Sequence, residues 1–206
     1  MNSERIKALA SEISKEDIVL DVGSDHGYLC VYLKQNNLCK DVYASDISEK
    51  ALNSARKNFG TYNLNIKSYV SDGFSNIPVL FNTAVIAGMG TSTILHILEH
   101  EKKPEKLVIS SHNEHYKLRK ELNKLGYIIV NEKAILENKH YYIILTLKKG
   151  NQKLRLKEMK YGISNNKNYY KYLLSKNKSI IKKVPLMKKI KLCYENLILK
   201  GLIGKK

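Results

Sequence analysis

From the first residues to about position 148, short apolar runs of strand length alternate with segments whose apolar residues recur every three or four positions. Ile18–Val22, Asp41–Ser45, Ile66–Val70, Thr83–Ala87 and Lys106–Ser110 read as strands. Five helices are expected around them: Ser3–Ser14 with Ser3 as cap, Tyr28–Gln35, Ser48–Phe59 capped by Ser48, Ser92–Glu101, and His115–Leu125 stopped by Gly126. A parallel strand returning through a helix must cross over right-handed, so this order predicts an α/β fold with a doubly wound, mostly parallel sheet.

The pattern then changes. Tyr127–Ile135 and Tyr141–Lys148 are strand-like with no helix between them, and the link Leu136–His140 makes them an antiparallel hairpin at the end of the sheet. A Rossmann-like sheet closed by such a hairpin is the class I methyltransferase arrangement, distinct from dinucleotide-binding domains. After Gly150 the strands stop. Tyr169, Leu173, Ile180 and Val184 mark one helix, and Leu186, Ile190, Cys193 and Leu197 a second with a coiled-coil-like seam. Pro185 lies at the junction, where a helix can begin but not readily continue. The expectation is a domain over 1–150 and a helical hairpin over 151–206 that leans on it.

Charge separates the same two parts. The chain carries a net +17, and 32 of its 36 basic residues are lysine, a bias that AT-rich codon usage alone would produce. Codon bias acts evenly along a chain, whereas residues 151–206 hold 16 basic and 2 acidic residues against 20 and 17 in residues 1–150. A tail of net +14 beside a domain of net +3 implies a polyanionic partner whose phosphates the lysines neutralise. The competing reading is a set of solvated helix faces on a lysine-biased chain. No stretch approaches the roughly 18–20 apolar residues of a membrane span, and the N-terminus lacks the apolar core of a secretory signal, so a cytoplasmic, membrane-free protein is expected. Cys30, Cys39 and Cys193 are odd in number and lack paired ligand spacing, which suits idle thiols in a reducing compartment and predicts no metal.

Chemistry concentrates at strand ends. Leu20-Asp21-Val22-Gly23-Ser24-Asp25-His26-Gly27-Tyr28 spans the first strand-to-helix turn, where open α/β sheets bind ligands. Gly23 permits the tight turn, and Gly27 lets backbone approach either a ligand or the helix behind it. Asp25 stands where a dinucleotide fingerprint has its middle glycine, and a carboxylate there repels a pyrophosphate. S-adenosylmethionine has no phosphate and carries positive ammonium and sulfonium groups, so Asp21 and Asp25 favour it over a nicotinamide cofactor or a turn that binds neither. Asp46, followed by Ile47, ends the second strand, placed to accept ribose hydroxyls or else to cap the next helix. Asp72-Gly73 follows the third strand, facing an adenine amino group or forming an ordinary turn. Gly88-Met89-Gly90 ends the fourth strand as a shelf for a planar base or a plain turn. Asn113, after the fifth, is either a bidentate partner for an adenine edge or a polar helix cap. His26 and His112 read as hydrogen-bonding fixtures rather than bases.

The run Asp21–Leu29 with its Gly-Ser-Asp-His turn, the Ser71–Phe74 loop, Gly88-Met89-Gly90, Arg5 in the opening helix and Tyr161-Gly162 before a basic helical tail together resemble the bacterial family that methylates N1 of adenine 22 in tRNA. The chain departs from that family at Ser111-His112-Asn113, which shares only the asparagine, and at Ser71, where the family has glycine. The resemblance implies S-adenosylmethionine as donor, tRNA as acceptor and partner, and a helical tail that grips the RNA. It places the cofactor against Asp21, Gly23, Ser24, His26, Gly27, Asp46, Ile47, Asp72, Gly73 and Gly88. The acceptor base then meets Asp25, Gly88, Met89 and Asn113, in a chain read as a monomer. A small-molecule methyltransferase, which has no use for the tail, and a non-catalytic RNA-binding module are the alternatives.

Overall fold

The structure is a computed structural model that describes residues 3–99 and 103–204. Its strands are β1 (Ile18–Val22), β2 (Asp41–Asp46), β3 (Ser68–Val70), β4 (Thr83–Met89), β5 (Lys106–Ser111), β6 (Tyr127–Glu137) and β7 (His140–Lys149). They form one sheet in the order β3-β2-β1-β4-β5-β7-β6. β1 to β5 pair in parallel, and β7 runs antiparallel between β5 and β6. The chain leaves β1 toward β2 and β3, then returns to β4 on the other side. The switch in strand order therefore lies between the carboxyl ends of β1 and β4, where such sheets open a crevice.

Alternate residues of the central strands feed two cores. Leu20, Val22, Ala84, Ile86, Leu107 and Ile109 face one; Val19, Val85 and Val108 face the other. The second core is closed by α1 (Glu4–Ala10), α2 (Tyr28–Gln35) and α3 (Glu49–Thr61), through Leu9, Leu33, Leu52 and Phe59. The first is closed by α4 (Thr91–Ile97) and α5 (His115–Lys124), and also by tail residues Tyr161, Tyr169, Tyr170, Leu199 and Leu202. The tail thus completes the core of the sheet domain.

Several boundaries move for local reasons. α1 starts as expected, with the Ser3 hydroxyl accepting from the Ile6 amide, but ends at Ala10 instead of Ser14, where the Glu12 and Ile13 amides tighten onto the Leu9 and Ala10 carbonyls. β3 begins at Ser68 rather than Ile66. β4 continues past Ala87 through a register shift that takes in Gly88 and Met89. α4 ends at Ile97, and the expected end at Glu101 lies outside the described residues. The five-residue hairpin link shortens to Asn138 and Lys139, both with positive φ (50° and 65°), the pairing that matches strand twist.

The tail has three helices instead of two: α6 (Leu156–Tyr161), α7 (Lys167–Ile181) and α8 (Leu186–Gly204). Its expected second seam is corrected. Leu186, Ile190, Cys193 and Leu197 are exposed, and α8 packs through Leu192, Leu199 and Leu202. Apolar residues occur around much of α8, so spacing alone picked a stripe that α7 and the sheet do not meet. A buried ion pair bolts the tail down. Arg119 of α5 donates to Glu132 of β6 (2.6 and 3.3 Å) and to the Met159 carbonyl (3.0 Å), while Glu132 accepts from the Ile163 amide (3.0 Å). Among the described residues no helix is long and apolar enough to cross a membrane, and no cluster of three or more His, Cys, Asp or Glu could hold a metal.

Candidate functional site

The turn between β1 and α2 is laced to its neighbours through its backbone. The Gly23 and Ser24 amides donate to the Ser45 carbonyl (2.8 and 3.0 Å), and the Gly27 amide closes back on the Ser24 carbonyl at 2.7 Å. Asn58 of α3 donates to the His26 carbonyl (2.8 Å). Gly27 has φ +67°, and a Cβ there would lie 2.5 Å from the Phe59 ring. Of its two sequence roles, close approach to a helix is the one the packing requires. A Cβ on Gly23 would collide with the Met89 methyl, which brings the end of β4 against the β1–α2 turn. Asp25 adopts the left-handed region (φ 49°), where a short polar side chain is tolerated, and its side chain is 71% exposed.

Asp21 breaks the apolar face that β1 turns toward α2. It is buried, and the Cys30 thiol donates to its Oδ2 at 3.4 Å. Burial pushes its pKa from 3.8 up to about 7; the thiol hydrogen bond opposes this in part, and the negative charge of Asp46 adds to it. Asp21 lines a 390 Å³ cleft together with Arg5, Gly23, Ser24, Asp25, His26, Tyr28, Gly88 and His112. Among the described residues, Arg5 Nε and Ser24 Oγ are buried without a hydrogen-bonding partner. Buried polar atoms are seldom left unpaired, so two orphans in one cleft point to a ligand that pairs them.

The other expected residues sit on an adjoining ridge. Asp46 accepts from the Asp25 amide (3.2 Å) and the Ser48 amide (2.9 Å), so it ties the turn to the start of α3, whose cap is Ser48 itself. Ile47 beside it is 71% exposed. The Ser71 amide donates to the Asp46 carbonyl (3.0 Å), which sets Asp72 and Gly73 next to it, and Ser75 donates back to the Asp72 carbonyl in a turn. Asn113 lies beside Gly90, where a Cβ would stand 3.7 Å from its amide oxygen. Its amide oxygen accepts from the Thr91 amide (3.0 Å), and its carbonyl accepts from the Thr91 hydroxyl (2.7 Å). It therefore caps α4 from across the loop, which is the second of its two sequence roles.

Sequence reasoning missed Arg5 as a cleft residue. Its guanidinium lies 5.1 Å from the Tyr142 ring centroid, a cation–π distance. The available signal was rarity: in a chain with four arginines, one near the N-terminus marks a place where a planar fork matters.

Comparison with known proteins identifies the family and agrees with the fold. A family model described as a methyltransferase domain matches residues 2–145. A protein of Mycoplasma genitalium named as a tRNA methyltransferase is 35% identical over 152 residues, covering 71% of this chain and 69% of its own length. The tRNA (adenine(22)-N(1))-methyltransferase of Bacillus subtilis is 30% identical over 73% of this chain and 66% of its own. A Streptococcus pneumoniae protein described as a tRNA (m1A22) methyltransferase, solved with S-adenosyl-L-methionine bound, superposes with a TM-score of 0.85 at 28% identity over 99% of this chain and 100% of that one. Matched in sequence across its sheet domain and in fold across nearly its whole length, the chain belongs to the bacterial tRNA (adenine-N1)-methyltransferase family.

Proposed function

We propose that the chain binds S-adenosylmethionine in the cleft at β1 and β4 and methylates N1 of an adenine in tRNA, at the position equivalent to 22. The observation that carries this reading is the charge of the cleft: one buried acid, a second acid on the turn and a half-buried arginine whose Nε has no hydrogen-bond partner line a single cavity. S-adenosylmethionine fits that set. Asp21 and Asp25 match its cationic groups, and Arg5 offers its fork to the carboxylate. Ser24 gains the partner it lacks. Asp46 accepts from the ribose hydroxyls, with Ile47 and Gly73 flanking the adenine and Asp72 facing its amino group. His26 and Gly27 hold the turn, and Gly88 leaves room at the end of β4.

Bound there, S-adenosylmethionine supplies an activated methyl group on a sulfonium. Adenine N1 has a free lone pair, so the chain need not supply a base. What it contributes is alignment: Gly88 and Met89 form the shelf over which the ring slides, and Asn113 fixes the loop beside it. Asp25 compensates the positive charge that reaches the ring. The N1 edge is paired or stacked in helical RNA, so the base is unstacked before it reacts.

Residues 1–150 act as the methyl-transferring part and 151–206 as the RNA-gripping part of a cytoplasmic monomer. Lys171, Lys176, Lys178, Lys182, Lys183 and Lys188 are all exposed on the tail and contact phosphate without reading sequence. A small-molecule methyltransferase has no use for this surface. The test is mass spectrometry of nucleosides from unmodified tRNA incubated with enzyme and donor. The expected product is 1-methyladenosine at one position; methylation of a different base or atom overturns the reading.

A further inference from the structure

A second cavity, of 470 Å³, opens between the loop after β5, the start of β7 and tail helix α7. One wall is aromatic. The Tyr141 and Tyr172 rings lie 4.9 Å apart between centroids, and both meet Tyr169, at 5.4 and 6.5 Å. Tyr169 is buried and anchors the group, while Tyr141 and Tyr172 stay half-exposed along the cavity. Exposed Lys176, one turn further along α7, also lines it.

The two cavities share part of a wall. His112 lines both, and Arg5 of the cofactor cleft stacks on Tyr142, which lines the second. A methyl acceptor must touch the donor, so its pocket has to open onto the donor's cleft. This cavity lies next to that cleft across His112, and it is built from the tail as well as the sheet. Beside it Glu114 adopts φ 47°, an uncommon backbone state that tends to collect at working sites.

We propose that this second cavity receives the unstacked nucleobase presented for methylation, its plane against Tyr141 and Tyr172 and its flanking phosphate at Lys176. The inference rests on the tRNA-methylating reading above. Aromatic faces take up an extruded base whatever its edge, and a volume of this size holds a purine nucleotide.

The test is a cycle between enzyme and RNA, using the full chain saturated with S-adenosylhomocysteine. Binding is measured for intact tRNA and for the same tRNA with an abasic nucleotide at the acceptor position. Removing the base should weaken binding to the parent on the order of tenfold, and Tyr172→Ala should weaken binding of intact tRNA similarly. Applied together, the two changes should cost no more than either alone, because they delete one contact. Penalties that multiply would make Tyr172 a packing residue and overturn the proposal, as would a variant that binds and methylates like the parent. Calorimetry of S-adenosylhomocysteine checks that the variant folds. Should it not, Lys176→Gln decides on the exposed surface: the expected result is a several-fold rise in KM for tRNA with donor affinity unchanged, and an unchanged KM overturns the proposal. Failure of the parent to methylate adenine sinks the proposed reaction instead, while the abasic penalty still decides the pocket.

Discussion

Asp21→Asn should make the empty protein more stable and the functional protein worse. In the folded chain the Asp21 carboxyl has its pKa raised from 3.8 to about 7, first by burial and then by the charge of Asp46. Between those two pH values the folded state holds a proton that the unfolded state has lost, so stability falls as pH rises through the interval, and the full cost persists above it. That cost is about 4 kcal/mol at pH 8 and about 2 kcal/mol at pH 5. Asparagine keeps the acceptor for the Cys30 thiol but carries no charge, and so removes the cost. In a chain of this size about 1 kcal/mol moves the melting temperature by roughly 2–4 °C. The variant should therefore melt above the parent, with the gap widening by about 5–10 °C from pH 5 to pH 8, as thermal scans without cofactor would measure. Calorimetry should show the opposite for function: S-adenosylmethionine binding weakened on the order of tenfold or more by loss of a charged partner. Parent affinity should also fall about tenfold per pH unit below 7, relative to the variant. A melting gap independent of pH would refute the argument, since it would mean that Asp21 is ionised throughout.

Asp46→Ala removes the acceptor for the Asp25 and Ser48 amides as well as the proposed ribose contact, and calorimetry should detect no S-adenosylmethionine binding; parental affinity would move the adenosine elsewhere. Glu132→Gln leaves Arg119 buried without a counter-ion, which costs about 3–5 kcal/mol, so melting should drop by roughly 10 °C and tRNA affinity should fall before donor affinity does. Equal losses of both ligands would mean that the pair supports the whole fold rather than the tail. Changing Lys182, Lys183 and Lys188 to glutamine should lower the slope of log affinity for tRNA against log salt by about 2–3, with donor binding untouched, and an unchanged slope would take that end of the tail off the RNA.

What could be read in the sequence depended on how far apart the determining residues lie. β1 and α2 match their expected limits because runs of apolar residues and the Gly-Ser-Asp-His turn act locally. The face of α8 could not be read, since which of its apolar stripes is buried depends on α7 and the sheet, not on α8. Asn113 was ambiguous for the same reason: its cap partner, Thr91, opens a different helix, α4. The site divides along this line. Asp21, Gly23, Asp25 and Asp46 announce a cationic ligand from residue type and position. The burial that raises the Asp21 pKa is invisible until α2 packs against β1.

The contacts hidden from sequence are also those that link the walls of the two cavities. Arg5 reaches Tyr142 across the chain, and Arg119 with Glu132 fastens the tail that brings Tyr172 and Lys176 to the same edge of the sheet. A donor carboxylate that pairs with Arg5 orders the guanidinium stacked on Tyr142. On the proposed placements, filling the first cavity would preorganise a wall of the second, and calorimetry should find that donor tightens acceptor binding by the same factor as acceptor tightens donor binding; independent binding would refute the coupling.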